Sequence, residues 1–310
     1  MDSMEAVQAT NDDASECKRC AVDLNYWTDK YIHFFVRHYE RKAPEINRGY
    51  FARYSGMNSV IKSFLQRVGT KSQIVNLGCG FDTMYWRFKD NNISLASIID
   101  VDFPAVTAKK CFSIKRNKVL LDSLHSKDGE ISFSGTDLHS YNYHIIGVDL
   151  RNINDLEYKL LQSGIDYNLP TLFISECVLV YNESMHSQRL LLWISSKFSE
   201  ALFSNYEQIN MSDRFGEVMA KNLRERGCTL AGLEACKNLD TQKQRYLNTG
   251  WSGARVWDMM QIYMSIPISE RQRIESIEFL DEQELLVQLL QHYAIAVAWK
   301  GDVFKDIDIT

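Results

Sequence analysis

The sequence predicts an α/β protein built on a doubly wound, mostly parallel sheet, and three observations predict it. Apolar runs of strand length alternate with helical spacers through the middle of the chain. Those runs are apolar nearly throughout, as strands covered by helices on both faces must be. The first of them ends in a glycine turn, NLGCGFDT, at residues 76–83. With 310 residues, 45% of them apolar and 24% charged, the chain has material for a large core.

Taken in order, residues 1–16 (MDSMEAVQATNDDASE) carry acids and neither a basic nor an apolar leader, and are expected to be a disordered acidic tail. Residues 17–70 form a helical prelude. Aromatic side chains recur at helical spacing in YWTDKYIHFFVRHYERK, and after a break at Pro44 the pattern resumes with Arg53 between Tyr50 and Tyr54. The core then begins. SQIVNLG, SLASIIDVDF, YHIIGVDL, LPTLFISECVLVY and EALFSNYEQI read as successive strands, with SMHSQRLLLWISSKF as the crossover helix between the fourth and fifth. Alternation lapses over 213–270, which reads as an inserted helical lobe contributing to a substrate site. A strand at SIEFL, a helix capped by Asp281 and a final strand close the chain, so the core is expected over 71–212 and 271–310.

Composition narrows the function. A formal charge of −5 and a pI near 5.8 lack the positive field that grips phosphate backbones, so nucleic acid is not an expected partner. No apolar stretch reaches the roughly 20 residues that span a bilayer. The seven cysteines are odd in number and dispersed, which suits free thiols in reducing cytoplasm. Cys17 and Cys20 form a CxxC, but no second pair at metal-ligand spacing accompanies them, and no metal is expected.

Gly78 and Gly80 bring bare backbone to a ligand behind the first strand. A dinucleotide fingerprint needs a third glycine where Thr83 stands, and a phosphate-binding loop needs a Gly-Lys-Ser or Gly-Lys-Thr that is missing. Acids recur at the ends of later strands: Asp102, with Asp100 competing for the same role, then Asp149, then Glu176. In open α/β sheets, ligands lie across those ends. A carboxylate 22 residues beyond Gly80 can accept both hydroxyls of a ribose, and further acids suit a cationic amino-acid moiety. S-adenosylmethionine has both features, and methyl transfer is the reading these residues favour.

The segments ERKAPEINRGYFAR (40–53), QIVNLGCGFDTMYWR (73–87), VDFP (101–104), ECVLVY (176–181), NYEQINMSDRFG (205–216) and RIESIEFLDE (273–282) resemble the leucine carboxyl methyltransferase family. The resemblance implies a class I S-adenosylmethionine-dependent methyltransferase sheet of seven strands, the last antiparallel. It implies methylation of the C-terminal leucine carboxylate of the protein phosphatase 2A catalytic subunit, whose tail would be the partner of a monomeric enzyme. It also implies cofactor roles: Gly78 against the methionine moiety, Asp102 on the ribose, Asp149 with Leu150 beside the adenine, Glu176 near the methionine end, Arg53 binding from the N-terminal helices and Lys18 from the CKR segment that precedes them.

An α-carboxyl titrates at about 3.3–3.7 and is already an anion at neutral pH, so no general base is expected. A donor fork to orient it is. Arg53 is the first candidate because planar guanidinium grips carboxylate bidentately; Tyr206 and Arg214 follow. Arg53 equally suits stacking on Tyr50, Tyr206 a strand end, and Arg214 a solvated charge beside Asp213 or Glu217. Trp251, Trp257, Met259 and Met260 read better as core than as a substrate groove, and Cys79 and Cys177 as packing rather than nucleophiles.

Three rivals remain. A tRNA-modifying branch of the same family carries a long C-terminal repeat domain, for which a sequence ending at Thr310 leaves no room. A NAD-dependent dehydrogenase would show the missing glycine. A non-catalytic phosphatase scaffold would need the same residues as the enzyme.

Overall fold

The computed structural model describes residues 3–124 and 130–310. Among them, nine strands form one sheet: β1 Gln73–Leu77, β2 Ser97–Asp102, β3 Ser132–Ser134, β4 Asp137–His139, β5 Tyr143–Gly147, β6 Thr171–Glu176, β7 Ala201–Gln208, β8 Gly253–Asp258 and β9 Tyr293–Lys300. Their order is β3-β4-β5-β2-β1-β6-β7-β9-β8. Strands β5, β2, β1, β6 and β7 run parallel, and β9 lies antiparallel between β7 and β8. The seven strands from β5 to β8 make the expected sheet with its antiparallel last strand, and the β3–β4 hairpin extends one edge.

Helices α1 Ser3–Asp23, α2 Ile32–Phe35 and α3 Pro44–Val68 precede the sheet. Then α4 Met84–Asp90 follows β1, α5 Pro104–Arg116 and α6 Lys118–Asp122 follow β2, and α7 Ile153–Gln162 and α8 Ser184–Lys197 follow β5 and β6. Between β7 and β8 come α9 Arg214–Glu225 and α10 Leu239–Leu247, and between β8 and β9 come α11 Met259–Ser265, α12 Ile268–Glu275 and α13 Gln283–Gln291.

The two-residue period of a strand divides its side chains between two cores. Ile74, Ile98 and Leu172 join one apolar cluster with Phe51, Val60 and Phe64 of α3. Val75, Ile99 and Phe173 join the other with Leu190, Leu191 and Ile194 of α8. Every residue of β1 and of β7 is buried, and the polar Ser204, Asn205, Glu207 and Gln208 of β7 are buried with the rest.

Four local expectations are corrected. Residues 3–16 are not a disordered tail; they belong to α1, which buries Ala6, Cys20 and Ala21 against the body of the protein. The aromatic-rich segment 26–42 is helical only at α2. Asn25 ends α1 at a φ of 64°, and the aromatics then serve separate partners: Trp27 stacks on Tyr54 at 4.7 Å, and the Tyr31 hydroxyl donates to Asp90 at 2.6 Å.

The sixth core strand is β8, inside the stretch expected to be a helical lobe, and SIEFL forms no strand. Residues GARVWD pair in register with β9 from Gly253↔Trp299 to Asp258↔Ala294, so the core boundary at 213–270 gives way. SIEFL is held as a loop because Glu278 accepts Tyr26 Oη, Arg41 Nη2 and Asn47 Nδ2 at 3.1, 3.0 and 2.8 Å. Finally, the N-cap of α13 is Glu282, not Asp281, and its side chain makes no capping bond.

Candidate active site

The carboxyl ends of β1, β2, β6 and β7 open into a cavity of about 450 Å³. Gly78, at φ 68°, and Gly80, at φ 48°, form its floor behind β1 in conformations that L side chains rarely adopt. A Cβ on Gly78 would come within 2.3 Å of Val178 Cγ2. Gly80 N donates to Asp102 Oδ2 at 2.7 Å, and Phe103 N donates to Oδ1 at 2.7 Å. Burial outweighs these bonds and pushes the Asp102 carboxyl up to about 6. Each oxygen keeps a further lone pair for a hydroxyl.

Asp100 is excluded from that role. It is buried in the sheet, where its Oδ2 accepts Lys110 Nζ at 2.7 Å and Tyr143 Oη at 2.6 Å. It does not line the cavity.

Glu176 and Tyr206 are register partners at the ends of β6 and β7. Into the space they share, α3 projects Arg53, whose Nε donates to Glu176 Oε2 at 2.5 Å. The Arg53 guanidinium lies 4.7 Å from the Tyr206 ring centroid and 5.5 Å from that of Tyr50. Lys18 Nζ, from α1, is 3.8 Å from the same Glu176 oxygen. Burial alone would raise the Glu176 carboxyl, but Lys18 and Arg53 hold it at about 2. Burial acts against the charge on Arg53, yet Glu176 keeps it protonated well above its ordinary range. Burial also holds the Tyr206 phenol neutral. The site therefore presents a fixed anion between two cations, with aromatic faces around the guanidinium.

Gly78, Gly80, Asp102, Glu176, Arg53, Lys18 and Tyr206 thus meet at one cavity. Asp149, Leu150 and Arg214 are not brought to its lining. Asp149 is gripped by Arg151, whose Nε reaches both carboxylate oxygens at 2.9 and 3.0 Å, and Leu150 is buried in the core. Arg214 is an exposed residue at the start of α9, and its neighbour Asp213 caps that helix by accepting Gly216 N at 2.8 Å.

Sequence reasoning missed the α1 half of the roof, whereas α9 lies in the 213–270 segment expected to contribute to a substrate site. Helix α1 lies over the cleft, and Asn11 Oδ1 accepts Phe81 N at 3.1 Å. Residues of α9, among them Met219 and Leu223, complete the enclosure, and an Asp13–Arg226 pair at 3.2 Å joins the two helices. Nothing in an acidic, unpatterned N-terminus signals this. Tyr181 and Tyr293 also line the cavity; strand-end position was their only signal. Met259 reaches the lining, whereas Trp251 packs on Phe203 at 5.8 Å and Trp257 against the core. Cys79 and Cys177 do touch the cavity, but burial pushes the Cys177 thiol up to about 12 and Cys79 up likewise, so neither is an activated nucleophile.

A seven-strand sheet in this order, with a glycine floor after its first strand and an acid closing its second, defines the class I methyltransferase fold. A solved structure from Thermobifida fusca YX, whose own methyltransferase assignment is provisional, aligns over 87% of this chain and 92% of its own with a TM-score of 0.50 at 13% identity. The chain belongs to the leucine carboxyl methyltransferase family, whose profile matches residues 6–195. It is 49% identical to leucine carboxyl methyltransferase 1 of Bos taurus over 96% of this chain and 90% of that one. Human tRNA wybutosine-synthesizing protein 4 is 34% identical over 97% of this chain, which covers 45% of that longer relative.

Proposed function

We propose that this protein uses S-adenosylmethionine to methylate the α-carboxylate of the C-terminal leucine of the protein phosphatase 2A catalytic subunit. The observation that carries the reading is the Arg53–Glu176 pair beside Tyr206, set in the same cavity as the Gly78 floor and Asp102. The cofactor fits these residues: a floor without side chains would admit it, Asp102 would hold the ribose hydroxyls, and the ionised Glu176 would offer its charge to the ammonium group. It supplies an electrophilic methyl on a sulfonium for in-line displacement.

The protein's part is orientation. The substrate carboxylate needs no base, and holding it in line contributes roughly 7–11 kcal/mol to barrier reduction. Arg53 has one Nε–H committed to Glu176 and further N–H donors free to hold a carboxylate. Tyr206, a neutral phenol stacked on the same guanidinium, limits where that fork points. Roofing by α1 and α9 excludes water from the attacking anion.

The enzyme acts as a cytoplasmic monomer on the folded phosphatase. A short tail buries too little surface to bind tightly alone. No described helix is long and apolar enough to cross a membrane. The higher identity to the leucine methyltransferase relative, together with the formal charge of −5, favours a protein over a tRNA substrate.

The test is transfer of labelled methyl from S-adenosylmethionine to purified phosphatase, with and without its terminal leucine. Label that requires the leucine and is released by mild base as an ester supports the reading. Label on tRNA, or on phosphatase lacking the leucine, sinks it.

A further inference from the structure

Glu207 is a buried carboxylate that the chemistry above does not use. It follows Tyr206 on β7, so strand alternation turns it to the opposite face. There it is 1% exposed and accepts a converging set of donors. Its Oε2 accepts Arg245 Nη1 at 2.6 Å, Gln242 Nε2 at 3.2 Å and Asn205 Nδ2 at 3.2 Å, with Cys236 Sγ at 3.7 Å. Its Oε1 accepts the backbone N of Val180 at 2.5 Å.

Val180 connects this network to the cavity. It sits in the short turn Leu179–Tyr181 that follows β6, between Val178 and Tyr181, both of which line the cleft. The chain enters that turn sharply, with Cys177 at a φ of 56° that few non-glycine residues adopt. Two adjacent residues of β7 hold the turn in place: Tyr206 O accepts Cys177 N at 2.7 Å, and Glu207 accepts Val180 N. The fit is close, because Val178 Cγ2 occupies the space a Cβ on Gly78 would need.

We infer that Glu207 is a positioning residue of the cofactor site: neutralised by Arg245 of α10, it fixes the 177–181 turn so that Val178 stays against Gly78 and Glu176 and Tyr181 keep their places. The inference rests on reading the cleft as the cofactor site. A carboxylate suits this task better than an amide because it accepts several donors at once and its charge-assisted bonds are short. Arg245 is required because an unpaired buried charge is strongly destabilising.

Two double variants separate the Val180 bond from the ion pair. Glu207→Gln/Arg245→Leu removes both charges and keeps an acceptor for Val180 N; Glu207→Leu/Arg245→Leu removes the acceptor too. Binding of S-adenosylhomocysteine is measured by calorimetry, alongside melting temperature and exchange of the Val180 amide. The first variant should bind within about threefold of wild type. The second should bind about tenfold more weakly in its folded fraction, as the loss of one buried hydrogen bond implies, with faster Val180 exchange and a lower melting temperature, because Val180 N, Asn205 and Gln242 lose their acceptor. Equal affinity in the two variants overturns the role. Should the second not fold, the first decides alone: a tenfold loss there, with the Val180 bond retained, assigns the effect to the ion pair and overturns it. Wild-type protein that binds no S-adenosylhomocysteine overturns the reading of the cleft and this inference with it, whereas wild-type binding with indistinguishable variants overturns only Glu207.

Discussion

Arg53 donates to Glu176 across 2.5 Å although 123 positions separate them in the chain. The contact joins an N-terminal helix to the rim of the sheet, and it makes each partner's charge depend on the other. Arg53→Ala leaves Glu176 with Lys18, at 3.8 Å, as its one ion-pair partner among the described residues and Arg87 acting at longer range. Breaking one side of a buried pair costs about 3–5 kcal/mol of stability, so melting temperature should drop, and loss of the orienting fork should lower methyl transfer about a hundredfold. Arg53→Lys, which keeps the charge without the planar fork, should recover stability more than turnover. Steady-state kinetics beside scanning calorimetry checks this; equal recovery of both would remove the orienting role.

The Asp102 carboxyl, raised by burial to about 6 from the usual 3.8, gives cofactor binding a pH dependence of definite sign. Folding favours the protonated acid between those values, so the cofactor-free protein loses stability as pH rises from 4 to 6. Ribose hydroxyls donate to the ionised form, so affinity should strengthen over the same rise and level off above pH 7. Asp102→Asn should weaken binding and flatten the profile. Calorimetric titration from pH 5 to pH 8 reads both; an unchanged slope in the variant refutes the assignment.

Gly78 and Gly135 offer a matched comparison. Both have positive φ, 68° and 59°, but a Cβ meets Val178 at 2.3 Å in the first and nothing within 4 Å in the second. Alanine at either should cost roughly 1–2 kcal/mol of backbone strain. Only Gly78→Ala should also abolish cofactor binding, and loss of binding in both would mean that strain, not space, decides.

Asp100→Asn strands the buried Lys110 ammonium, whose side chain is 0% exposed. Stability should fall by about 3–5 kcal/mol, read by urea unfolding. Cofactor affinity of the folded fraction should not change, in contrast to Asp102→Asn.

Asn11→Ala removes the acceptor for Phe81 N at the glycine floor. Cofactor affinity should weaken about tenfold, the scale of one buried bond. Asp13→Asn should shift stability by less than ~1 kcal/mol, because the pair it breaks with Arg226 is exposed. Thermal shift and calorimetry on the two variants distinguish a closing helix from a passive one.

By itself the sequence determined the central strands, the glycine floor and the acids at the sheet rim. Strands covered on both faces leave short apolar runs such as LFI in β6 and ALF in β7, and a turn that admits a ligand needs glycine whatever surrounds it. Tertiary structure alone decided what depends on a partner distant in the chain. GARVWD is a strand because β9 offers it an edge, and a short half-buried run carries no period that tells strand from helix. Asp100 and Asp102 are two residues apart on one strand, and Lys110 with Tyr143 claims the first while Gly80 meets the second. The acidic N-terminus orders as a roof because it packs on a finished cleft, a surface that does not exist until the sheet has formed.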